Sequence, residues 1–225
     1  RFRIFLILYS QNNDLNMLKN SDIKVEVNNI DQKNNENMDH VKEILFGSIL
    51  GDGRLELPPR GKNARFGFTQ GENNKDYFIF LFNSLSSITS GKYREHSYLD
   101  KRTGKTYTFF NFWSRALPML TELYNVFYIN KVKIVPEDLS LLTPLALAHW
   151  IAQKKLPCGN SLYLCSDDFS HADVKRLARY LTNRHNIKCT LHKVTGGNYR
   201  IYILVKSLDT VKNIISPYVK NTFWI

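Results

Sequence analysis

Apolar positions in the first half of the chain recur with the spacing of an amphipathic helix. The residues that share its apolar face are Val41, Ile44, Leu45, Ser48 and Ile49. Asp39 stands just before this run, where a side chain that accepts from free backbone N–H groups is favoured. The pattern ends at Gly51-Asp52-Gly53. We therefore expect a helix that has Asp39 as its N-cap and ends at Asp52.

The rest of the chain alternates between the periods of helices and strands. In the first half the pattern predicts strands over residues 65–70, 92–98 and 107–113, with helices over 75–85 and 117–127. In the second half it predicts helices over 144–155, 172–184 and 207–215, with strands over 161–166, 188–194 and 199–205. The similar order indicates an internal repeat of about ninety residues. We expect a mixed α+β fold with two related halves.

Residues 12–37 differ in composition from the rest of the chain. They are rich in asparagine and lack aromatic residues, so they cannot bury enough surface to offset the entropy of ordering. We interpret them as a linker. The predicted organisation is an N-terminal extension over residues 1–38, a first repeat over 39–140 and a second repeat over 141–225. Because the chain begins with Arg1 rather than Met, we expect a processed or truncated product.

The charge balance favours a polyanionic partner. Lysine and arginine number 31 against 20 acidic residues, which gives a formal net charge of +11. Such a field favours nucleic acid, although a protein that is basic for no functional reason fits the charge alone. Three widely spaced cysteines argue against a zinc site or a disulfide framework, and no apolar run is long enough to span a membrane. Richness in Asn, Lys, Ile and Tyr fits an AT-rich organellar gene, so we expect a mitochondrial protein.

Two glycines four residues apart precede an acid at the predicted end of the first helix. Gly47 and Gly51 each cost the helix about 1 kcal/mol relative to alanine, which indicates that another helix approaches closely. Asp52 at a helix C-terminus opposes the helix dipole unless a cation lies against it. Asp52 is therefore a candidate metal ligand, and an ordinary turn residue is the alternative that position alone favours.

These motifs resemble the LAGLIDADG homing endonuclease and intron maturase family, in its single-chain, two-repeat, organellar form. The resemblance rests on GSILGDG at residues 47–53 and FGFTQ at residues 66–70 in the first half. In the second half it rests on TPLALAHW at residues 143–150, preceded by KVKIVPEDL at residues 131–139. It implies two αββαββα repeats whose motif helices pack at a central interface, with antiparallel sheets that form a saddle over the nucleic acid.

The resemblance also implies roles for individual residues. Asp52 corresponds to the first catalytic acid, which holds a divalent metal such as Mg²⁺ between the scissile phosphates. Gln70 corresponds to a polar residue at a strand end beside the metal, and Lys133 to a basic residue near the reacting phosphate. The second acid is missing, because Lys154 stands in its position. The Lys154 ammonium would repel a divalent cation but could pair with a phosphate.

Asp167 is the candidate to replace the lost acid. It follows a predicted strand at the position that matches residues 69–70 of the first repeat, so it is a second candidate metal ligand. One alternative is that Asp167 and Asp168 form the turn before a helix that Asp168 or Ser170 caps. Another is a salt bridge between Asp167 and Lys154. In each case we expect Mg²⁺ at one half-site at most, and no double-strand cleavage.

Basic residues recur on and beside the predicted strands of both halves, where they could follow phosphates. The candidate nucleic-acid-binding residues are Arg54, Arg60, Lys62, Arg65, Lys92, Arg94, Lys101, Arg102, Lys105, Lys154, Lys188, Lys193 and Arg200. A solvated sheet face is the alternative. The aromatic residues interpreted as core or sheet-packing residues rather than base stackers are Tyr93, Tyr98, Tyr107, Phe109, Tyr199 and Tyr202.

Together with the missing acid, the resemblance implies a splicing maturase that binds group I intron RNA and at most nicks DNA. A metal-dependent, site-specific DNA homing endonuclease or nickase is the first alternative. The second is a structural RNA-binding component of a larger ribonucleoprotein, since such a protein would also keep its charge after losing the acid. We expect a monomer that binds intron RNA, duplex DNA or both.

Overall fold

The computed structural model describes residues 36–223 of the chain. Its first helix, α1, is described over residues 36–50. The helices that follow are α2 (Lys75–Ser84), α3 (Pro118–Phe127), α4 (Pro144–Lys154), α5 (His171–His185) and α6 (Leu208–Ile215). The fold class is α+β, as the sequence predicts. Within residues 36–223 no helix is long and apolar enough to cross a membrane.

Two four-stranded antiparallel sheets carry the same strand order, one in each half of the chain. Sheet 1 has the spatial order β1-β2-β4-β3 and contains β1 (Arg54–Glu56), β2 (Arg65–Gly71), β3 (Arg94–Asp100) and β4 (Lys105–Trp113). A short hairpin follows, formed by β5 (Tyr128–Ile129) and β6 (Val132–Lys133). Sheet 2 has the order β7-β8-β10-β9 and contains β7 (Lys155–Cys158), β8 (Ser161–Leu164), β9 (Cys189–Lys193) and β10 (Tyr199–Ile203). The equivalent order confirms two pseudo-symmetric repeats.

Helix α1 begins earlier than the sequence predicts. Asp39, the expected N-cap, lies inside the helix, so that prediction is wrong. Once a helical turn has formed, each added residue contributes one more backbone hydrogen bond, and residues 36–38 extend α1 in this way. The predicted linker over residues 12–37 lies outside the described residues except for positions 36 and 37, which are helical. The proposed boundaries of the extension and of the two repeats stay predictions.

Each sheet packs one of its faces against a helix of its own repeat. In sheet 1 the ring of Phe78, from α2, lies 5.7 Å from that of Phe110 and 5.5 Å from that of Phe112, between centroids. In sheet 2 helix α5 packs against β9 and β10, where Ile201 and the α5 residue Leu177 are fully buried. The apolar core of each repeat therefore lies between its sheet and its helices.

The face of each sheet that points away from this core is called its open face, because side chains alternate between the two faces along a strand. On sheet 1 the open face carries Arg54, Glu56, Arg65, Thr69, Arg94, His96, Tyr98, Asp100, Lys105, Tyr107, Phe109, Asn111 and Trp113. On sheet 2 it carries Leu156, Tyr163, Thr190, His192, Arg200 and Tyr202. These two faces form the saddle that the resemblance implies.

Helices α1 and α4 pack side by side at backbone contact distance, at the centre of the saddle. A Cβ atom at Gly47 would lie 1.9 Å from the carbonyl oxygen of Ala146, and one at Gly51 would lie 2.2 Å from Oε1 of Gln153. The contact at Gly47 is with backbone and leaves no room for a side chain, whereas the contact at Gly51 is with the end of the Gln153 side chain. The close helix approach predicted from the two glycines is confirmed, and the C-terminal ends of α1 and α4 lie together.

Candidate functional site

Asp52 lies directly after α1, where the ends of the two central helices meet. Its backbone N–H donates to Oε1 of Gln153 at 2.8 Å, which ties the end of α1 to α4. Its carboxylate accepts from Nε2 of Gln70 at 2.7 Å, and Gln70 is in turn held by the side-chain amide of Asn74 at 3.0 Å. The structure therefore brings together Asp52 and Gln70, two residues that the resemblance assigns to one site.

Lys154, the last residue of α4, places its ammonium between two carboxylates. Its Nζ lies 3.0 Å from Oδ1 of Asp52 and 3.3 Å from Oδ2 of Asp168. Burial alone would lower the pKa of Lys154, but the charges and hydrogen bonds of Asp52 and Asp168 outweigh it and raise that pKa. In this structure Lys154 pairs with two acids of its own chain, and its pairing with a phosphate stays a prediction.

Asp167 does not form the salt bridge with Lys154 that was considered from the sequence. Both of its carboxylate oxygens accept from Nε of Arg200, at 2.9 and 3.0 Å, and the neighbouring Asp168 contacts Lys154 instead. Adjacent residues in a turn project in different directions, so only one of the two acids faces the centre. Ser170 caps α5 by accepting from the backbone N–H of Asp173 at 3.2 Å, as one of the alternatives predicted.

Lys133 reaches the same cluster from the short β5–β6 hairpin. Its ammonium donates to the carbonyl oxygens of Ile49, Gly51 and Gly53 at 3.0, 3.3 and 3.5 Å. These carbonyls lie at the C-terminal end of α1, where a cation compensates the helix dipole. Burial, followed by the like charge of Lys154, lowers the pKa of Lys133. Its contacts in this structure are those of a helix cap, and its expected role at a phosphate stays a prediction.

A buried polar network between α1, α2 and α4 supports the cluster. Nε2 of Gln153 donates to Oγ of Ser48 at 3.1 Å and to the hydroxyl of Tyr77 at 2.8 Å. The Tyr77 hydroxyl also lies 2.9 Å from Nδ1 of His149. Burial lowers the pKa of His149 to about 3, so the ring is neutral and shares a hydrogen bond with the Tyr77 hydroxyl through Nδ1. Sequence reasoning assigned no role to this network, although Gln153 directly precedes the lysine that replaces the acid.

The side chains at this cluster do not fit a divalent metal. One oxygen of Asp52 is paired with Lys154 and the other accepts from Gln70, so neither is free for a cation. Within residues 36–223 no group of three or more His, Cys, Asp or Glu side chains is placed to hold a metal ion. An ammonium already occupies the space between the acids, and it repels a second cation there.

The predicted nucleic-acid-binding residues fall into three groups. On the open faces lie Arg54, Arg65, Arg94, Lys105 and Arg200. In exposed turns and strand ends lie Arg60, Lys62, Lys92, Lys101, Arg102 and Lys188. The remaining two are Lys154, at the centre, and Lys193. Lys193 pairs with Tyr199 in the register that places both on the helix side of sheet 2, so it is not part of the open face.

Several open-face cations are held in position by contacts within the protein. The guanidinium groups of Arg54 and Arg65 lie 4.8 and 4.2 Å from the ring centroid of Trp113. Arg65 also pairs with Glu56 at 2.9 Å, as Arg200 does with Asp167. Fixed guanidinium groups lose less entropy when they bind a phosphate. The open face of sheet 1 is thus a preorganised basic surface that contains aromatic rings.

Comparison with known proteins agrees with this geometry. The LAGLIDADG DNA endonuclease family matches residues 42–211. The cytochrome b mRNA maturase bI2 of Debaryomyces hansenii is 31% identical over 79% of this chain and 69% of its own length. The cytochrome b mRNA maturase bI2 of Saccharomyces cerevisiae is 33% identical over 92% of this chain, which spans 50% of that relative's length.

Among solved structures, the homing endonuclease I-WcaI bound to its DNA recognition sequence has the same fold. Its TM-score is 0.75, over 82% of this chain and 84% of that one, and at 21% identity the likeness concerns the fold alone. The family match runs from α1 to α6 and includes both sheets. This chain belongs to the LAGLIDADG DNA endonuclease family.

Proposed function

We propose that this protein binds group I intron RNA as a splicing maturase and does not cut both strands of DNA. The observation that carries the proposal is the position of Lys154, whose ammonium lies 3.0 Å from Asp52 where a metal-dependent nuclease needs a cation site. A reaction that relies on metal at both scissile phosphates requires an acid at each half-site. In the second half-site Lys154 stands in the position of the acid. In the first half-site the acid, Asp52, is paired with Lys154.

The basic open faces are consistent with a protein that binds nucleic acid without cutting it. They retain cations in both repeats, including Arg94 on sheet 1 and Arg200 on sheet 2, within a chain of net charge +11. Binding to phosphates requires this charge and does not require the central acids. The two yeast relatives at 31% and 33% identity are named cytochrome b mRNA maturases, which is consistent with an RNA ligand.

A second candidate function, a DNA endonuclease or nickase, is favoured by one observation. Asp52 and Gln70 are both retained and lie 2.7 Å apart at the centre of the saddle. In this alternative Asp52 would hold one Mg²⁺, and the ion would have to displace Lys154 first. A single metal site supports one reacting phosphate, so nicking is the most that this alternative provides.

We place the protein in the mitochondrion, as a monomer whose partner is an intron RNA. The chain is rich in Asn, Lys, Ile and Tyr, as expected for an AT-rich organellar gene, and this composition supports the mitochondrion. The names of the relatives connect them to cytochrome b mRNA. Each repeat supplies one of the two central helices, so a single chain builds the α1–α4 interface without a second copy.

The test is to crosslink the protein to nucleic acid in its native source and to sequence what is recovered. Under the proposal, the reads are RNA and concentrate on one intron, at its folded segments. Recovery of duplex DNA centred on an intron-insertion site, without enrichment of intron RNA, would support the endonuclease alternative instead. A variant with charge reversal at Arg94 serves as the control, because specific recovery must fall when the open face loses a cation.

A further inference from the structure

Two pairs of aromatic rings face each other across the β3–β4 hairpin, on the open face of sheet 1. His96 stacks on Phe109 with centroids 5.1 Å apart and ring planes 18° apart, and Tyr98 stacks on Tyr107 at 5.5 Å and 26°. Tyr98 is 56% exposed and Tyr107 is 43% exposed. These two tyrosines pack across the sheet, which agrees with their interpretation as sheet-packing residues, and they do so on an exposed strand, because residues 94–99 of β3 are exposed along their whole length.

Sheet 2 carries a similar cluster on the equivalent strands, in which the stacked residues are diagonal rather than directly opposite neighbours. His192 of β9 stacks on Tyr202 of β10 at 4.9 Å and 13°, and the ring of Tyr163 lies 5.1 Å from that of Tyr202. The Tyr163 hydroxyl lies 2.8 Å from Nδ1 of His192, which fixes the orientation of the imidazole. Strands β9 and β10 hold in sheet 2 the positions that β3 and β4 hold in sheet 1. A histidine stacked on an aromatic ring therefore recurs on both open faces.

Cationic side chains flank the rings in both sheets. On sheet 1, Arg94 lies one same-face position before His96, and Lys105 lies one same-face position before Tyr107. On sheet 2, Arg200 is the cross-strand neighbour of His192. Same-face positions are about 7 Å apart along a strand, so each of these cations lies about one nucleotide's length from a ring. This combination matches the two parts of a single-stranded nucleic acid, its bases and its phosphates.

We propose that these two aromatic clusters are stacking platforms for unpaired bases of the RNA. In a duplex the bases already stack on each other and present only their edges in the grooves, so an aromatic face has no base face to contact. Single-stranded loops and bulges expose base faces, and proteins recognise them by stacking on aromatic side chains. The inference rests on the proposed RNA binding and specifies which part of the RNA lies on each sheet.

Cross-strand packing is the competing explanation, since facing aromatic pairs also stabilise a hairpin. That role needs contact between the rings but does not need their outer faces to be exposed or cations beside them. A binding experiment distinguishes the two explanations, because removal of the rings lowers the affinity for unpaired bases only if the rings are a stacking platform.

The experiment measures binding of the full chain to a fluorescent oligouridine RNA of about 16 nucleotides and to a fully paired RNA duplex. The double variant Tyr98→Ala with Tyr107→Ala is compared with Tyr98→Phe with Tyr107→Phe, which keeps both rings. The alanine variant is expected to bind oligouridine about tenfold more weakly while its duplex affinity changes by less than about twofold. The phenylalanine variant is expected to bind both like the wild type.

Leu99→Ala is the matched control, because Leu99 is 59% exposed on the opposite side of the same hairpin. Thermal unfolding of each variant verifies that the fold is kept. Unchanged oligouridine binding by the alanine variant, or an equal loss for duplex RNA, would overturn the inference while leaving RNA binding by the wild type intact. Failure of the wild type to bind either RNA would overturn the proposed function itself. Equal affinity for oligodeoxyuridine would remove the assignment of the platforms to RNA.

Discussion

The ammonium of Lys154 lies 3.0 Å from the carboxylate of Asp52, at the point where helices α1 and α4 end side by side. An acid at each helix end would place two negative charges against two unfavourable dipole ends, an arrangement that a bound cation normally relieves. With a lysine at one end, the chain supplies that cation itself. The pair is partly exposed, so its direct contribution to stability is modest. Its main consequence is that Asp52 is no longer free to bind a metal.

Metal binding should return when the lysine is replaced by an acid. We expect that the wild-type protein with Mg²⁺ does not cut both strands of its intron-insertion duplex, and that Lys154→Asp raises the affinity for Mg²⁺, measured by titration calorimetry. The physical reason is that the substitution removes a positive charge 3.0 Å from Asp52 and adds a second carboxylate. Lys175→Asp, on the exposed surface of α5, is the charge-matched control. Efficient double-strand cleavage by the wild type that Asp52→Asn abolishes would contradict the expectation.

The close contact between the two central helices should make Gly47 intolerant of any side chain. Gly47→Ala places a methyl group 1.9 Å from a backbone carbonyl of α4, which cannot move without separating the helices. We expect a loss of about 3 kcal/mol in the free energy of unfolding, measured with urea. Gly71→Ala is the control, because nothing lies within 4 Å of the position that its methyl group would take and its φ of −74° suits alanine. Similar stabilities for the two variants would show that the helices are not in contact at Gly47.

Burial of His149 should make stability depend on pH. Its pKa is about 3 in the folded protein against an ordinary 6.5, so the unfolded chain binds a proton first as the pH falls. Above pH 6.5 the ring is neutral in both states and contributes no pH dependence. Below that value the free energy of unfolding falls by about 1 kcal/mol per pH unit until the folded pKa is reached.

Urea unfolding at about pH 7 and about pH 5 measures this effect. His149→Gln should lose less stability than the wild type over that interval, because the residue that is protonated on unfolding is gone. The same pH dependence in the wild type and in His149→Gln would refute the assignment.

Charge reversal on the open face should weaken RNA binding more than charge reversal on the helix side of the sheets. Arg94→Glu removes a cation from the open face, so we expect weaker RNA binding and a salt dependence whose logarithmic slope is reduced by about one. Lys193→Glu makes the same change in net charge on the helix side of sheet 2, and its loss of affinity should be smaller, with the slope retained. Fluorescence anisotropy at several salt concentrations distinguishes the two. Equal effects would show that the open face is not the binding surface.

The sequence predicted the long elements well, because their periodicity and end signals agree. Residues 144–155 were expected to be helical and α4 spans Pro144–Lys154, with Thr143 as its N-cap and Pro144 in the first turn. The short strands β1 and β7 were missed. Three residues are too few to show alternation, and β7 contains Pro157, which weakens a strand signal. These strands are set by pairing with β2 and β8, which only the folded chain provides.

The sequence predicted which residues lie at the central site but not which of them form ion pairs with each other. The motif resemblance brought Asp52, Gln70 and Lys154 to one place, and the structure has them in contact. No sequence signal could decide whether Asp167 or Asp168 would face Lys154, because that depends on the direction of adjacent side chains in a turn. The roles of Tyr77 and His149 depend on helix spacing in the same way.

The missing side chain at Gly47 also limits how this protein can respond to a ligand. Where α1 and α4 touch through backbone atoms, there is no rotamer whose change could let one helix slide past the other. The packing of the two repeats against each other therefore resists change at this contact. Under the proposed RNA binding, an RNA that contacts both sheets would reach the arrangement they present through its own folding.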